Sequence, residues 1–513
     1  MKKPRFASFT LPALAATLAA VFPAAHTAHA TDIVKADNTT ALNVAGSYTT
    51  GGPPGAGDRI QVSSVLTANR TSLLGGDLSI AGIFIDSTAT KVLQINGSNT
   101  LTLGSSGITI ASTLSGAGLT FNGPAISLGA NQTWDLGIKG LTISGGTTLA
   151  NNGNTLAIST TGGQIFFSNT TPMTMDATIG GSVALTLSST ASELTLVNAN
   201  STFTGGIAIS AGNTVTGSTM STLAGSGSSS VGNGQVQLKG GTFKYSGNTA
   251  TSAQNVAVDS RFIGTLEVTT AGQTLTLSNF RNTNTSNPSL TANGANLGGA
   301  GNLTITNVVA DSTQALKTSF SVTKFGTGTL TLTAVNTYTG DTTINAGTLA
   351  LNTAGSINAN SAITVAAGAT FDTSARTGGY AFNTTKTTTI GVSSTAAGLI
   401  NSAAVTFSSA SLGFDFGATT TLLSSYTILT KTGFTGDFAN VTATGTSISG
   451  TFVNAGSGNW TLTAGGYDLT FSESLGTLTA VSSVPEPSTY AVIFGSVALV
   501  GASIRRRRAN KIA

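Results

Sequence analysis

Cysteine is missing from all 513 residues, and histidine occurs only as His26 and His29. No disulfide can staple the chain, and no thiolate can act as nucleophile or metal ligand. Charged residues make up 8% of the chain and aromatics 6%, where an ordinary globular domain carries about 25% charged residues. Salt-bridge networks therefore cannot organise the fold. Beyond residue 30 a Ser-His-Asp or Cys-His site is impossible, as is a zinc site built on imidazole or thiolate ligands. A helical hydrophobic period is also absent from the body of the chain, which leaves β-structure to account for its 40% hydrophobic content.

The two ends carry the charge that the middle lacks. Lys2, Lys3 and Arg5 precede an apolar stretch from Phe9 to Phe22, and Ala28-His29-Ala30 follows. That order of charge, apolar run and small residues is the layout of a secretory signal, with cleavage by signal peptidase expected after Ala30 and with Ala28 and Ala30 as the recognised small residues. At the other end, Pro485-Glu486-Pro487 leads into Tyr490 to Ile504, without a charge, and then into Arg505, Arg506, Arg507 and Arg508. Arginine at a bilayer centre costs roughly 2.5 to 3.5 kcal/mol, so the four guanidinium groups stop the run at the cytoplasmic side. About fifteen residues at 1.5 Å each reach about 22 Å, short of the roughly 30 Å hydrocarbon core, which suits a temporary anchor. An ordinary tail anchor is the plainer alternative. The tail resembles the PEP-CTERM sorting signal of Gram-negative surface proteins, and the resemblance implies recognition by the membrane protease exosortase, with Pro485, Glu486, Pro487 and Arg505 to Arg508 as the signal residues.

Without its ends the chain changes sign. Of 22 basic residues three lie in the signal and five in the tail, leaving 14; of 18 acids only Glu486 lies in the tail, leaving 17. The body thus carries −3, which excludes a basic nucleic-acid footprint.

Short apolar–polar alternations recur along this body: Leu101-Thr102-Leu103, Ile108-Thr109-Ile110, Leu141-Thr142-Ile143, Leu194-Thr195-Leu196, Leu275-Thr276-Leu277, Leu303-Thr304-Ile305 and Leu330-Thr331-Leu332. Each puts two apolar groups on one face of a strand, bounded by Gly, Asn or Ser turns. Strands this short cannot build a sandwich core, whereas coils stacked at roughly 4.8 Å share one interior. The clearest unit is Lys324 to Leu351, in which Leu330, Leu332, Ile344, Leu349 and Leu351 supply inward positions and Gly340 and Gly347 the corners, with positive φ expected there. A weaker copy spans 194–215, and Gly205, Ile209 and Gly212 repeat the spacing of Gly340, Ile344 and Gly347. This pattern resembles the autotransporter-associated β-strand repeat, which implies a secreted right-handed parallel β-helix at a bacterial surface. Autotransporters usually end in a membrane barrel, and no run of ten-residue alternating strands with aromatic girdles follows here.

The remaining candidates for chemistry are weak. Asp and Glu stand singly, with no pair two residues apart as neighbours on one strand face would be. Asp372 and Arg376 are read as a surface contact. Ser321-Val322-Thr323-Lys324, Ser356-Ile357-Asn358 and Lys431-Thr432-Gly433 imitate the three elements of serine β-lactamases, but the serine element needs a helix start and Lys324 opens a β repeat. Gly51-Gly52-Pro53-Pro54-Gly55 is a loop, since no Gly-Lys-Ser/Thr follows. Trp134 is either a core aromatic or a sugar-stacking platform. Trp460, with Tyr467 and Phe471, is expected to cap the last coil.

The expected architecture is all-β: signal 1–30, lead-in and cap 31–84, right-handed parallel β-helix 85–480 of about 20 coils at about 20 residues each, and sorting tail 484–513 with a single hydrophobic helix. The expected function is a non-enzymatic cell-surface or matrix structural or adhesion protein, without cofactor or metal. The second reading is a carbohydrate-binding or carbohydrate-cleaving β-helix acting on exopolysaccharide.

Overall fold

The computed structural model describes residues 30–188, 191–221, 228–259, 261–283, 293–311, 319–483 and 498–500. Ala28, Pro485, Glu486, Pro487 and Arg505 to Arg508 lie outside these residues. So does the apolar run of the tail, apart from residues 498–500, which are helical. Among the described residues no helix is long and apolar enough to cross a membrane.

The alternating triplets form short strands that lie one above another in parallel, giving a β-solenoid of about 16 turns. Four long sheets line it. The first runs from Thr31–Val34 to Ala177–Ile179, and the second from Arg70–Leu73 to Phe280–Thr283. The third runs from Met173–Met175 to Gly450–Thr451, and the fourth from Ala250–Ser252 to Leu429–Thr430. Sheets one and two serve the N-terminal half, and three and four take over as those end.

The register explains why the triplets carry leucine and isoleucine. On the fourth sheet Leu275 lies under Leu303, then Leu330, Leu349, Phe371, Ile400 and Leu429. The companion column is Leu277, Ile305, Leu332 and Leu351. All of these are buried, so each rung adds apolar side chains worth about 1.5–3 kcal/mol apiece to one continuous interior. Between them the threonines point outward.

Coil length varies more than an even repeat of 20 residues. Leu330 and Leu349 are 19 apart, whereas Ile400 and Leu429 are 29 apart. The excess loops out at corners without adding a rung, which is why about 16 turns form instead of 20. Parallel pairing also begins earlier than residue 85, because Thr31–Val34 pairs with Asp58–Val62 and that strand with Leu78–Ile85.

The C-terminal end changes direction. Ser425–Thr427, Thr477–Ser482, Tyr467–Ser472, Asn459–Ala464 and Val453–Gly456 form an antiparallel sheet. Trp460, Phe471 and Leu478 are buried beneath it, with Phe471 5.4 Å from Phe414 and 6.2 Å from Phe438. This sheet covers the last coil, whose core would otherwise face water.

Candidate functional site

The long repeat folds as strand, loop, strand, turn, strand. Thr329–Leu332 and Thr348–Leu351 stack on the fourth sheet, and Thr342–Ile344 crosses the third between them. The weaker copy does the same one sheet earlier, with Glu193–Leu196 under Thr214–Gly217 on the third sheet and Ile207–Ser210 on the second. Equal spacing therefore builds equal coils on different sheets. Ile344 and Ile209 are both fully buried.

The two glycines of each copy do different work. Gly347 and Gly212 sit at φ of +63° and +80°, as a left-handed corner requires. Gly340 and Gly205, contrary to the expectation, have no positive φ. A Cβ on Gly340 would stand 2.5 Å from the carbonyl oxygen of Phe320, and one on Gly205 2.3 Å from that of Val183. Close approach between coils is what excludes a side chain there.

Lys324 is the repeat's one charge that points inward. Its ammonium donates to the carbonyl oxygens of Phe325 at 2.7 Å, Gly326 at 2.7 Å and Ala346 at 3.0 Å, closing the Gly347 corner. That environment removes it from any role beside Ser321 of the β-lactamase imitation. Burial lowers the ammonium to about 8 from its ordinary 10.5. The native state then binds fewer protons than the unfolded chain between those values, so stability should rise as pH goes from about 8 to about 10.5. Lys324→Met should remove its share of that rise in denaturant titrations and leave the share of Lys35, a second buried lysine also lowered to about 8. At neutral pH the same substitution should cost about 1–3 kcal/mol through its orphaned carbonyls.

Trp134 resolves as a core aromatic. It is 1% exposed, and its indole N–H donates to Gln132 Oε1 at 2.9 Å, so no sugar ring can stack on it. Asp372 likewise departs from the sequence reading: it accepts from the Ser374 N–H at 2.9 Å and from Asn401 Nδ2 at 3.1 Å rather than pairing with Arg376. The ion pairs formed by described residues are Arg59 with Asp32, Arg70 with Asp37 and Arg261 with Asp259.

Two of the acids scattered through the sequence, Asp437 and Glu473, come close together. Glu473, fully buried under the cap, accepts from the Phe438 N–H at 3.0 Å and from the Trp460 indole N–H at 2.8 Å. Burial raises its carboxyl, and the neighbouring Asp437 raises it further, against the two donors. Asp437 itself is exposed, and Lys431 faces the pair. A separation of 36 positions between the two carboxyls hid this contact from any short-range pattern. Among the described residues no three Asp, Glu, His or Cys side chains gather in a metal-binding group.

The clefts are shallow and hydroxyl-rich. One of about 430 Å³ lies on the cap between Thr451, Thr461, Thr463 and Asp468. Another of about 370 Å³ lies on the first sheet between Ser106, Thr109, Thr133 and Asp135. Neither is lined by an aromatic ring.

A long column of outward positions runs along the third sheet. Thr214, Thr242, Thr265, Asn296, Thr323, Thr343, Thr364, Thr389, Gly413 and Thr442 follow one another in register, one per rung. Ten rungs at roughly 4.8 Å give a line of about 43 Å. It bears no charge.

The fold defines the class, an all-β parallel β-solenoid. Within that class, the model for the passenger-associated-transport-repeat matches residues 191–216 and 322–351, the same two coils. These two coils are thus similar to passenger-associated transport repeats, and with the solenoid they fit a passenger-type surface protein. Neither a curated protein nor a solved structure matches it.

Proposed function

We propose that this chain is an exported, non-enzymatic structural or adhesion rod of the cell surface or extracellular matrix of a Gram-negative bacterium. Its coils wind right-handed, the sense that right-twisted parallel strands favour in crossover connections. Signal peptidase removes residues 1–30, and an exosortase-type membrane protease acts at Pro485-Glu486-Pro487 while residues 490–504 and Arg505 to Arg508 hold the tail in the inner membrane. The observation that carries the reading is the passenger-type repeat, set in a continuous stack whose outward faces are hydroxyl-rich and nearly uncharged.

The absence of histidine and cysteine after residue 30 supports a non-catalytic role, and so does the burial of Glu473, which is spent on the cap. A carbohydrate-cleaving reading would need carboxyls of different protonation flanking an open groove. The hydroxyl-lined clefts favour instead a rod associated with exopolysaccharide.

The test is the intact mass and the fraction of the native product. A mature chain beginning at Thr31, lacking the residues after about 487 and recovered from the outer surface or matrix, is the expected result. A full arginine tail in the inner-membrane fraction would contradict sorting and make the protein a simple anchored rod.

A further inference from the structure

We infer that the threonine column of the third sheet is a binding line for a neutral, linear polysaccharide laid along the rod axis, an inference that rests on the surface-rod reading above.

The column is uncharged over the ten rungs from Thr214 to Thr442. Glu193 is the register partner of Thr214 at the N-terminal end of the line, and Lys244, Glu267 and Asp415 stand in the adjacent column, with Lys244 and Glu267 side by side in register. An anionic glycan would find no counter-charge on this line, so charge matching selects a neutral one. The hydroxyls of Thr323, Thr343, Thr364 and Thr389 engage no protein group among the described residues and remain open to a ligand. Each offers one donor and two acceptor sites, as a sugar hydroxyl does.

Geometry adds a second argument. The hydroxyls keep the rung spacing because the strands beneath them are locked: Thr343 pairs with Thr364 and Thr364 with Thr389, over the buried Ile344, Val365 and Ile390. At Gly413 the column has a notch rather than a break. A Cβ placed there would be 3.4 Å from Thr389 Oγ1 and 3.7 Å from Thr442 Oγ1, so both flanking hydroxyls face the gap. Such a line offers the same small contact once per rung, and only a partner that itself repeats along an axis can use all of them. A polymer does so; a compact protein does not. The second sheet, by contrast, has Phe166 exposed in the equivalent outward column between Thr142 and Thr186, which interrupts it. With no aromatic in the threonine column, recognition there rests on hydrogen bonds, each weak alone and strong in series.

The experiment uses the secreted chain and two insoluble probes, cellulose as a neutral linear glucan and calcium alginate as an acidic one. Wild type should co-sediment with cellulose. The fourfold variant Thr323→Val, Thr343→Val, Thr364→Val, Thr389→Val keeps shape and β-branching while deleting the hydroxyls, and should bind cellulose about tenfold or more weakly with alginate retention unchanged. Circular dichroism checks that the stack survives; should the fourfold variant misfold, Thr343→Val and Thr364→Val singly should each weaken binding about twofold to fourfold. Undiminished cellulose binding by a folded valine variant would overturn the inference. So would ultracentrifugation showing that the valines abolish a rod-to-rod dimer, which would make a second copy the occupant. A wild type that ignores cellulose also overturns it, and leaves the surface-rod reading to its own test of mass and fraction.

Discussion

Glutamine in place of Glu473 is expected to flatten the pH dependence of the C-terminal cap and to strengthen it at neutral pH. The carboxyl is buried between the last coil and the antiparallel sheet, where burial and then Asp437 favour its protonated form. A carboxyl whose folded value lies above its unfolded one holds more protons in the native state. Its contribution is complete below the unfolded value of about 4.3 and is lost as pH rises through the folded value. Wild type should therefore lose cap stability from about pH 4.3 upward. Glutamine keeps an oxygen for the Phe438 and Trp460 N–H groups and turns a permanent donor toward Asp437. Leucine at the same position should instead cost about 1–3 kcal/mol for each of those two orphaned donors. Denaturant unfolding followed by Trp460 fluorescence, in a Trp134→Phe background, reads the cap directly. An equal pH slope in wild type and Glu473→Gln would refute the assignment.

Valine at Gly347 should be among the most damaging single changes in the repeat. The position needs φ of +63°, which costs an L residue about 1–2 kcal/mol, and a Cβ there would meet the carbonyl oxygens of Gly326 and Gly328, both at 2.5 Å. With overpacking at about 1–3 kcal/mol, the expected loss is about 2–5 kcal/mol. Gly340→Ala separates the two causes, because its backbone is ordinary and only close approach remains, 2.5 Å to the Phe320 carbonyl oxygen and 2.6 Å to Ser321 Oγ; about 1–3 kcal/mol is expected. Gly52→Ala, with nothing within 4 Å, should be neutral within about 0.5 kcal/mol. Urea midpoints of the three variants would test the order, and a Gly347→Val chain as stable as Gly52→Ala would refute the corner assignment.

The architecture was legible because a one-sided strand writes its buried face into every second residue. Leu330-Thr331-Leu332 and its relatives needed no long-range information to be read as rungs. The Gly–Ile–Gly spacing was legible for a similar reason, since a corner and the residue it aims inward are only a few positions apart. What escaped was what depends on neighbouring coils. Gly340 reads like any turn glycine until the Phe320 carbonyl of the coil below is in place. Lys324 reads as a polar opening residue until Gly326 and Ala346 enclose its ammonium. Asp437 and Glu473 meet only because the antiparallel cap folds back over the last coil. The number of turns escaped because loops at corners lengthen a coil without adding a rung.

Everything here depends on rungs that climb at one fixed interval, and a chain without cysteine is well suited to measuring it. Paired cysteines at Thr214 with Thr343, Thr389 or Thr442, each carrying a spin label, span five, seven and nine rungs of the third sheet. Dipolar distances should increase in equal steps per rung, with backbone separations of about 24, 34 and 43 Å. Distances that fail to grow with rung number, or one broad distribution common to all three pairs, would contradict the stack.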